Sequence, residues 1–396
     1  MKPLLVVATL SILSVFAGYL IAPIEVRYME SISPSYFWIG LTYALGALFF
    51  SVLSTYSLQY TSRQSFAKII RVGAFFGVIY PLLYAASSTI FAYMGIKLIW
   101  AGSAIVMGPI LWTKLQQLLK KEDKPGRIVS NIYAVAAITG AFAQFLGGYL
   151  SSVYSITYPY IAMAIVFLII IFVSLLLPDE ERFASETKHN ESNLSAISFI
   201  KSSPVLLFYY LIHTTAILAW ELKFIVWPLI IFANFGSDLF TGISFGSMGV
   251  LAFFCLLIIG RFIDRVNILT IGRVALFFLS VSSLLFVFST SVKALVICSI
   301  FYALGEALYG PTRTVFLTRI FPAELRPWLV SFDESFHISA TVFFQIIIGL
   351  SLTFAQPDML VIALSLMMMT LTVVTAIFSK QFSVAYNDAL HKAGSE

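Results

Sequence analysis

Long apolar segments alternate with short polar breaks along the whole chain, and twelve of these segments are long enough to cross a bilayer. A membrane-spanning helix needs about 20 mostly apolar residues. Inside lipid only helices and closed barrels satisfy every backbone polar group, and barrel strands of about 10 alternating residues are shorter than these runs. The pattern predicts an all-α membrane protein whose twelve transmembrane helices, numbered spans 1 to 12, lie at 3–28, 34–56, 70–88, 90–116, 128–151, 155–177, 204–233, 237–259, 269–289, 293–317, 329–354 and 358–378.

The longest polar break predicts the domain organisation, because it divides the spans into two sets of six. We expect an N-terminal six-helix bundle at 1–178, a cytoplasmic linker at 179–203 and a C-terminal six-helix bundle with a short cytoplasmic tail at 204–396. Landmarks of the first set recur in the second with the same spacing, which indicates a duplication that gives two pseudo-symmetric halves. These landmarks are Gly108-Pro109 and Gly310-Pro311 in spans 4 and 10, and Ser130, Gln144 and Gly148 against Ser331, Gln345 and Gly349 in spans 5 and 11.

Composition and charge support the membrane assignment and add an orientation. Hydrophobic residues make up 60% of the chain and charged residues 11%, whereas soluble domains carry about 25% charged residues. If the N-terminus is cytoplasmic, almost all Lys and Arg residues fall on the cytoplasmic side, and only Arg27, Lys97, Lys223 and Lys293 lie elsewhere. This positive-inside bias predicts that both termini are cytoplasmic. The net charge of +5 is then a topology signal and does not indicate nucleic-acid binding. Short loops and tails favour a monomeric protein of a prokaryotic plasma membrane.

The chain lacks the side-chain clusters that an enzyme needs. It has four His and two Cys, without metal-ligand spacing or a nucleophile–base arrangement. We therefore expect no catalytic activity, no cofactor and no bound metal.

One loop carries a sharper signal. The segment Gly260–Arg265 after span 8 resembles the G-x-x-x-D-R loop motif of the major facilitator superfamily of secondary transporters, and the arrangement of twelve spans in two sixes is similar to that family over the whole length. The resemblance implies that Gly260, Asp264 and Arg265 form a gating latch. The corresponding segment after span 2, Ser57–Arg63, lacks the glycine and the aspartate. Gly140, Gly147 and Gly148 of span 5 resemble the glycine-rich antiporter motif without its proline.

Ionisable and polar aromatic residues inside the spans are the candidate site. A charge at mid-bilayer costs ~2.5 kcal/mol or more, so it is expected to face the bundle interior. The resemblance implies that spans 1, 4, 7 and 10 line a central cavity. The candidates for a substrate and proton pathway in these spans are Glu25, Lys97, His213, Trp220, Glu221, Tyr302 and Glu306.

Several arrangements of these residues remain open from the sequence. Ser11, Ser14, Gly18, Ala22 and Glu25 share one helical face of span 1, which either lines the cavity or packs, with Glu25 then snorkelling beside Arg27.

In span 7, His213, Trp220 and Trp227 follow at steps of seven and predict one face. Asp333 and His337 of span 11 are spaced for an i,i+4 pair at the start of that helix.

Lys97 has two possible acidic partners in these spans. A Lys97–Glu306 or Lys97–Glu221 pair would either carry protons or act as a permanent salt bridge that fixes helix register.

These features favour a secondary active transporter of a small molecule that works by alternating access. Aromatic residues and few charges in the cavity-lining spans favour proton-coupled export of amphipathic drug-like compounds or metabolites. Uptake of a sugar or carboxylate nutrient by the same fold is the alternative. A receptor or assembly protein that kept a transporter fold without transport is the alternative from another class.

Overall fold

The computed structural model describes residues 3–61, 64–119, 125–178, 204–259, 268–320 and 326–378. These residues form helices and contain no strand, which confirms the predicted all-α membrane fold. Within the described ranges, eleven helices are long and apolar enough to cross a membrane, and Tyr158–Ser174 is a shorter apolar helix. The twelve spans are Pro3–Ile21, Tyr36–Thr61, Phe66–Ala85, Ile90–Leu119, Pro125–Val153, Tyr158–Ser174, Pro204–Phe235, Asp238–Ile259, Ile268–Val287, Val292–Ile320, Arg326–Phe354 and Pro357–Ile377.

Span 1 is shorter than the hydropathy pattern predicts. The helix ends at Ile21, and a separate short helix, Glu25–Ile32, begins after a turn. Pro23 lies in this turn, and a proline both lacks an N–H donor and clashes with the carbonyl of the preceding helical turn. Glu25 therefore belongs to a different helix from Ser14, and the predicted continuous face of span 1 is interrupted.

Spans 4 and 7 each contain a π-helical turn, Val106–Ile110 and Leu222–Val226. A π turn places an extra residue in the helix and rotates everything after it relative to the preceding face. In span 7 this rotation separates Trp227 from the predicted face of His213 and Trp220. The Trp227 ring is fully buried and stacks on Phe286 at a centroid distance of 3.9 Å, so it packs inside the C-terminal half.

The two halves contact one another through span 2 against span 11 and span 5 against span 8. Glycines permit the closest approach: a Cβ on Gly40 would lie 2.9 Å from the Cα of Gly349, and a Cβ on Gly148 would lie 2.9 Å from the Cα of Gly242. These contacts lie at the end of the bundle where span 1 finishes and span 2 begins, which we call the closed end.

Hydrogen bonds between the halves, among the residues that the structure describes, also lie at the closed end. The Phe37 amide donates to Thr353 Oγ1 at 3.2 Å, and the Ser151 hydroxyl donates to Asp238 Oδ2 at 2.6 Å. The closed end is thus held by both close backbone packing and polar contacts. The predicted latch residues Gly260, Asp264 and Arg265, and the linker at 179–203, lie outside the described residues.

Candidate functional site

A cavity of about 540 Å³ lies between the two halves and is the centre of the candidate site. We call it the first cavity. Spans 1, 2, 4 and 6 and the Glu25–Ile32 helix line it from the N-terminal half, and spans 7 and 11 line it from the C-terminal half. Its polar lining includes Ser14, Glu25, Lys97, Glu221, Glu334, His337, Thr341 and Gln345, and its aromatic lining is Tyr19, Tyr43, Phe50, Trp100 and Phe224.

Glu25 and Lys97 form a buried ion pair at one wall of this cavity. Lys97 Nζ lies 2.7 Å from Glu25 Oε1, and the exposed fractions of the two side chains are 4% and 14%. The Tyr93 hydroxyl donates to the same oxygen at 2.9 Å, and the Tyr43 hydroxyl donates to Glu25 Oε2 at 3.2 Å. Three donors, one of them the Lys97 ammonium, therefore converge on the Glu25 carboxyl group.

This pairing corrects the expected partner of Lys97 and decides between the two alternatives for Glu25. Lys97 is bound to neither Glu306 nor Glu221, and Glu25 does not snorkel beside Arg27, which contacts Glu30 instead. The turn at Pro23 is the physical reason: it starts a new helix at Glu25 and places this carboxylate against span 4.

Aromatic rings enclose the Lys97 ammonium. Its Nζ lies between 4.9 and 5.7 Å from the ring centroids of Tyr43, Tyr84, Tyr93 and Trp100. Rings within about 6 Å of an ammonium attract it through cation–π interactions, so these contacts help to hold the Lys97 side chain in place. Tyr43, Tyr84 and Tyr93 were not among the residues predicted from the sequence, although tyrosines in spans 2, 3 and 4 were a signal for a polar aromatic cluster.

A second ion pair lies in the C-terminal half. Lys223 Nζ lies 3.3 Å from Glu306 Oε2 and 4.8 Å from the centroid of the Tyr302 ring. Lys223 is in the π-helical turn of span 7, and Glu306 is in span 10. Each half thus has one Lys–Glu pair: in the N-terminal half it joins the Glu25–Ile32 helix to span 4, and in the C-terminal half it joins span 7 to span 10.

Glu221 differs from these paired acids. Its carboxylate lines the first cavity and accepts a hydrogen bond from Gln345 Nε2 at 2.9 Å. Among the described residues, no Lys or Arg side chain forms an ion pair with it. Glu221 is therefore an acid of the cavity wall whose described polar contact is a neutral amide.

His213 lies in a separate polar cluster of spans 7, 10 and 11. Its ring is fully buried, and Nδ1 forms a hydrogen bond with the Tyr309 hydroxyl. The ring stacks on that of His337, with the two centroids 5.2 Å apart. The Trp220 ring also contacts His337, edge to face, with centroids 6.4 Å apart. His213 is therefore packed against aromatic neighbours, and His337 rather than His213 reaches the first cavity.

Asp333 does not form the i,i+4 pair with His337 that its spacing suggested. It binds Arg313 Nη2 at 2.6 Å and accepts a hydrogen bond from the Tyr209 hydroxyl at 2.8 Å. Span 11 begins at Arg326, so Asp333 lies two turns inside the helix and faces spans 7 and 10.

The predicted residues are thus distributed over several surfaces. Glu25, Lys97 and Glu221 line the first cavity. Trp220 and Glu306 line a second cavity of about 420 Å³, and Tyr302 joins these two residues around a smaller cavity of about 170 Å³.

Comparisons with known proteins agree with this architecture. The family model of the Major Facilitator Superfamily matches residues 118–327, more than half of the chain. Comparison with curated protein sequences found no match.

Among solved structures, the nucleoside transporter NupG is similar with a TM-score of 0.75 and 15% identity, covering 98% of this chain and 99% of that one. A POT family transporter in complex with a thioalcohol conjugated peptide gives a TM-score of 0.74 and 10% identity, covering 96% of each chain. A bacterial homologue of the human lysosomal transporter Spinster, in an inward-facing and unoccupied conformation, gives 0.64 and 15% identity, covering 100% of this chain and 96% of that one. At these identities the solved structures show only that the fold is shared. The match to the family model shows the family, and the chain belongs to the Major Facilitator Superfamily.

Proposed function

We propose that this protein is a secondary active transporter that moves a small molecule across a plasma membrane by alternating access. The observation that carries the proposal is the first cavity, which lies between two halves that are locked together at one end. Two halves that rock around a central site can open that site alternately to each side of the membrane. The polar contacts at the closed end are the ones that such rocking would break.

We further propose that both termini are cytoplasmic, because the positive-inside bias of the loops favours this orientation. The closed end then faces the outside of the cell, since span 1 starts at the cytoplasmic side and finishes at the closed end. In this orientation the described conformation is closed to the outside.

Protons are the proposed driving ion, and Glu221 is the proposed carrier. A carboxylate that cycles between protonated and ionised forms must not be held permanently by a cation. Glu25 and Glu306 each have a lysine partner, whereas Glu221 accepts from the neutral amide of Gln345. Glu221 also lies on span 7, whose π turn and Pro228 are features common in helices that flex.

The lining of the first cavity supports an amphipathic solute. Aromatic rings form much of its wall, and the Glu25–Lys97 pair is internally neutralised. Such a lining favours the binding of drug-like compounds or metabolites, and we propose their export as the first candidate function. Uptake of a polar nutrient is the second candidate, favoured by the hydrogen-bonding groups of Ser14 and Gln345 in the same cavity.

Flux in proteoliposomes tests the proposal. A panel of solutes is measured with and without an imposed pH gradient, in the wild type, in Glu221→Gln and in Glu306→Gln. We expect Glu221→Gln to abolish accumulation driven by the gradient and to leave solute exchange intact, because Gln cannot carry the proton. Asp358→Asn, which alters an exposed acid at the start of span 12, is the matched control.

Unchanged gradient-driven accumulation in Glu221→Gln would refute its role as carrier. Should the wild type transport no solute in the panel while it binds one of them, the receptor alternative would replace the transporter proposal.

A further inference from the structure

The second cavity adjoins the first but differs from it in chemistry. Val15 and Tyr19 of span 1 line both cavities, so this stretch of span 1 forms the wall between them. The Tyr19 ring packs against Gly140 of span 5, where an added Cβ would lie 2.9 Å from Tyr19 Cδ2. The first cavity lies on the side of spans 2 and 11, and the second lies on the side of spans 5 and 8.

Most of the second cavity is apolar. Apolar residues of spans 5 and 8, most of them small, form its long walls, which are Ile132, Ala136, Ala137, Gly140, Ala141, Phe245, Met248, Gly249, Ala252 and Leu256. The two spans are in close contact beside this cavity at Gly249, where a Cβ would lie 2.8 Å from Ala141 Cβ. Small side chains at Ala136 and Ala252 keep the space beyond this contact open.

Polar groups of the second cavity come mainly from spans 5, 7 and 10. The Lys223–Glu306 pair lines the cavity, together with the buried amide of Gln144 and the indole of Trp220. The Trp220 Nε1–H group is buried and has no hydrogen-bond partner among the described residues. A buried donor without a partner costs free energy, so a ligand group that accepts its hydrogen bond gains affinity.

We propose that the second cavity binds the apolar part of an amphipathic solute whose dipolar head contacts Lys223, Glu306 and Trp220. This inference rests on the proposed transport function and names the class of solute. An ion pair offers one positive and one negative partner, so its best complement is a head that carries both signs rather than a single net charge.

The size of the cavity agrees with such an occupant. Ligand pockets measure roughly 300–1,000 Å³, and an apolar cavity of ~150 Å³ already admits benzene. About 420 Å³ therefore leaves room for an apolar group larger than a phenyl ring beside the polar head.

A homologous series of zwitterions tests the proposal with a defined probe. Alanine, norvaline, norleucine and 2-aminooctanoate share the same zwitterionic α-amino acid head and differ only in the length of a linear apolar side chain. Binding of each is measured by calorimetry on the full-length protein in nanodiscs. We expect affinity to rise about fourfold for each added methylene group.

Two variants fill the cavity, and a third provides the matched control. Ala136→Phe and Ala252→Phe place a ring in the space between spans 5 and 8. We expect both to abolish the gain with chain length while alanine binds as in the wild type. Ile138→Phe adds the same ring type to the exposed side of span 5, at a residue that is 40% exposed, and should keep the gain.

The outcomes separate the two proposals. Equal affinity across the series in the wild type, or an undiminished gain in Ala136→Phe and Ala252→Phe, would overturn the assignment of this cavity and would leave transport through the first cavity standing. If the rise in affinity with chain length is lost in Ile138→Phe as well, the apolar chains respond to the lipid-facing surface of span 5. That result would also overturn the assignment of the second cavity. Absence of any solute flux in the wild type would overturn the transporter proposal, while the binding series would still decide on the cavity.

Discussion

Arg27 crosses from the N-terminal half to the C-terminal half at the closed end, and its removal is expected to open that end. The guanidinium carbon lies 3.5 Å from the centroid of the Phe232 ring in span 7, and Nε lies 3.9 Å from Asp238 Oδ1 in span 8. Asp238 also accepts a hydrogen bond from Ser151 of span 5. The side chains of Arg27 and Asp238 are 18% and 8% exposed. This small cluster therefore exists only while the halves are in contact.

The expected effect of Arg27→Gln follows from this burial. Truncation of one member of a desolvated charge pair costs about 2–5 kcal/mol, much of it from the charge left without a partner. Because the Arg27–Asp238 separation is long, we use the lower limit, about 2 kcal/mol, which is about a 30-fold shift of an equilibrium. The cost falls on the closed conformation alone, since Asp238 becomes hydrated when the halves separate. The ratio of molecules in which this end is open to those in which it is closed should thus increase about 30-fold.

Distance measurements between spin labels can detect this shift. Tyr154 and Phe354 are exposed residues at the closed end in opposite halves. Both are replaced by labelled cysteines after the native Cys255 and Cys298 have been changed to serine. We expect a long-distance population to appear or grow in Arg27→Gln.

Two further variants make this prediction refutable. Lys293→Gln removes an exposed cation from the same end and should leave the distances unchanged. Asp238→Asn in the Arg27→Gln background removes the stranded charge and should restore part of the closed population. An unchanged distance distribution in Arg27→Gln, or no recovery in the double variant, would refute the reasoning.

Three other outcomes follow from the described contacts and the loop motif. Gly40→Ala should impair closure and transport, because its Cβ would lie 2.3 Å from a backbone carbonyl oxygen. Gly95→Ala, whose Cβ meets nothing within 4 Å, is the control, and equal solute flux and label distances in the two variants would contradict the steric argument. Lys97→Met alone should lower thermal stability by more than the double variant Lys97→Met/Glu25→Gln does. The single change leaves a buried carboxylate without its partner, at a cost of about 3–5 kcal/mol. A double variant that is less stable than Lys97→Met would contradict this. Asp264→Asn should reduce turnover in proteoliposomes with normal membrane insertion if the loop acts as a latch, and normal turnover would exclude that role.

The amino-acid sequence alone was sufficient to predict the membrane fold. The length and apolarity of each segment are local properties, and a bilayer accepts few structures, so the twelve spans follow directly. The family was also accessible, because the order of spans and the Gly260–Arg265 segment are both read along the chain. The internal repeat identified Gln345 as a landmark of span 11, but it did not predict the hydrogen bond from Gln345 to Glu221.

Partner choice inside the bundle was decided by the tertiary structure. The position of a residue along its span predicts its depth in the membrane. Depth alone made Glu306 or Glu221 the expected partner of Lys97, whereas the structure pairs Lys97 with Glu25. The turn at Pro23 brings Glu25 to span 4, and the π turn at Leu222–Val226 directs Lys223 towards Glu306 while Trp227 turns into the C-terminal half. A helix break or one extra residue in a turn rotates a side chain by about a quarter of a circle or more, which hydropathy does not encode. The spans were therefore fixed by local composition, whereas the ion pairs depended on rotations that become defined only when the helices pack.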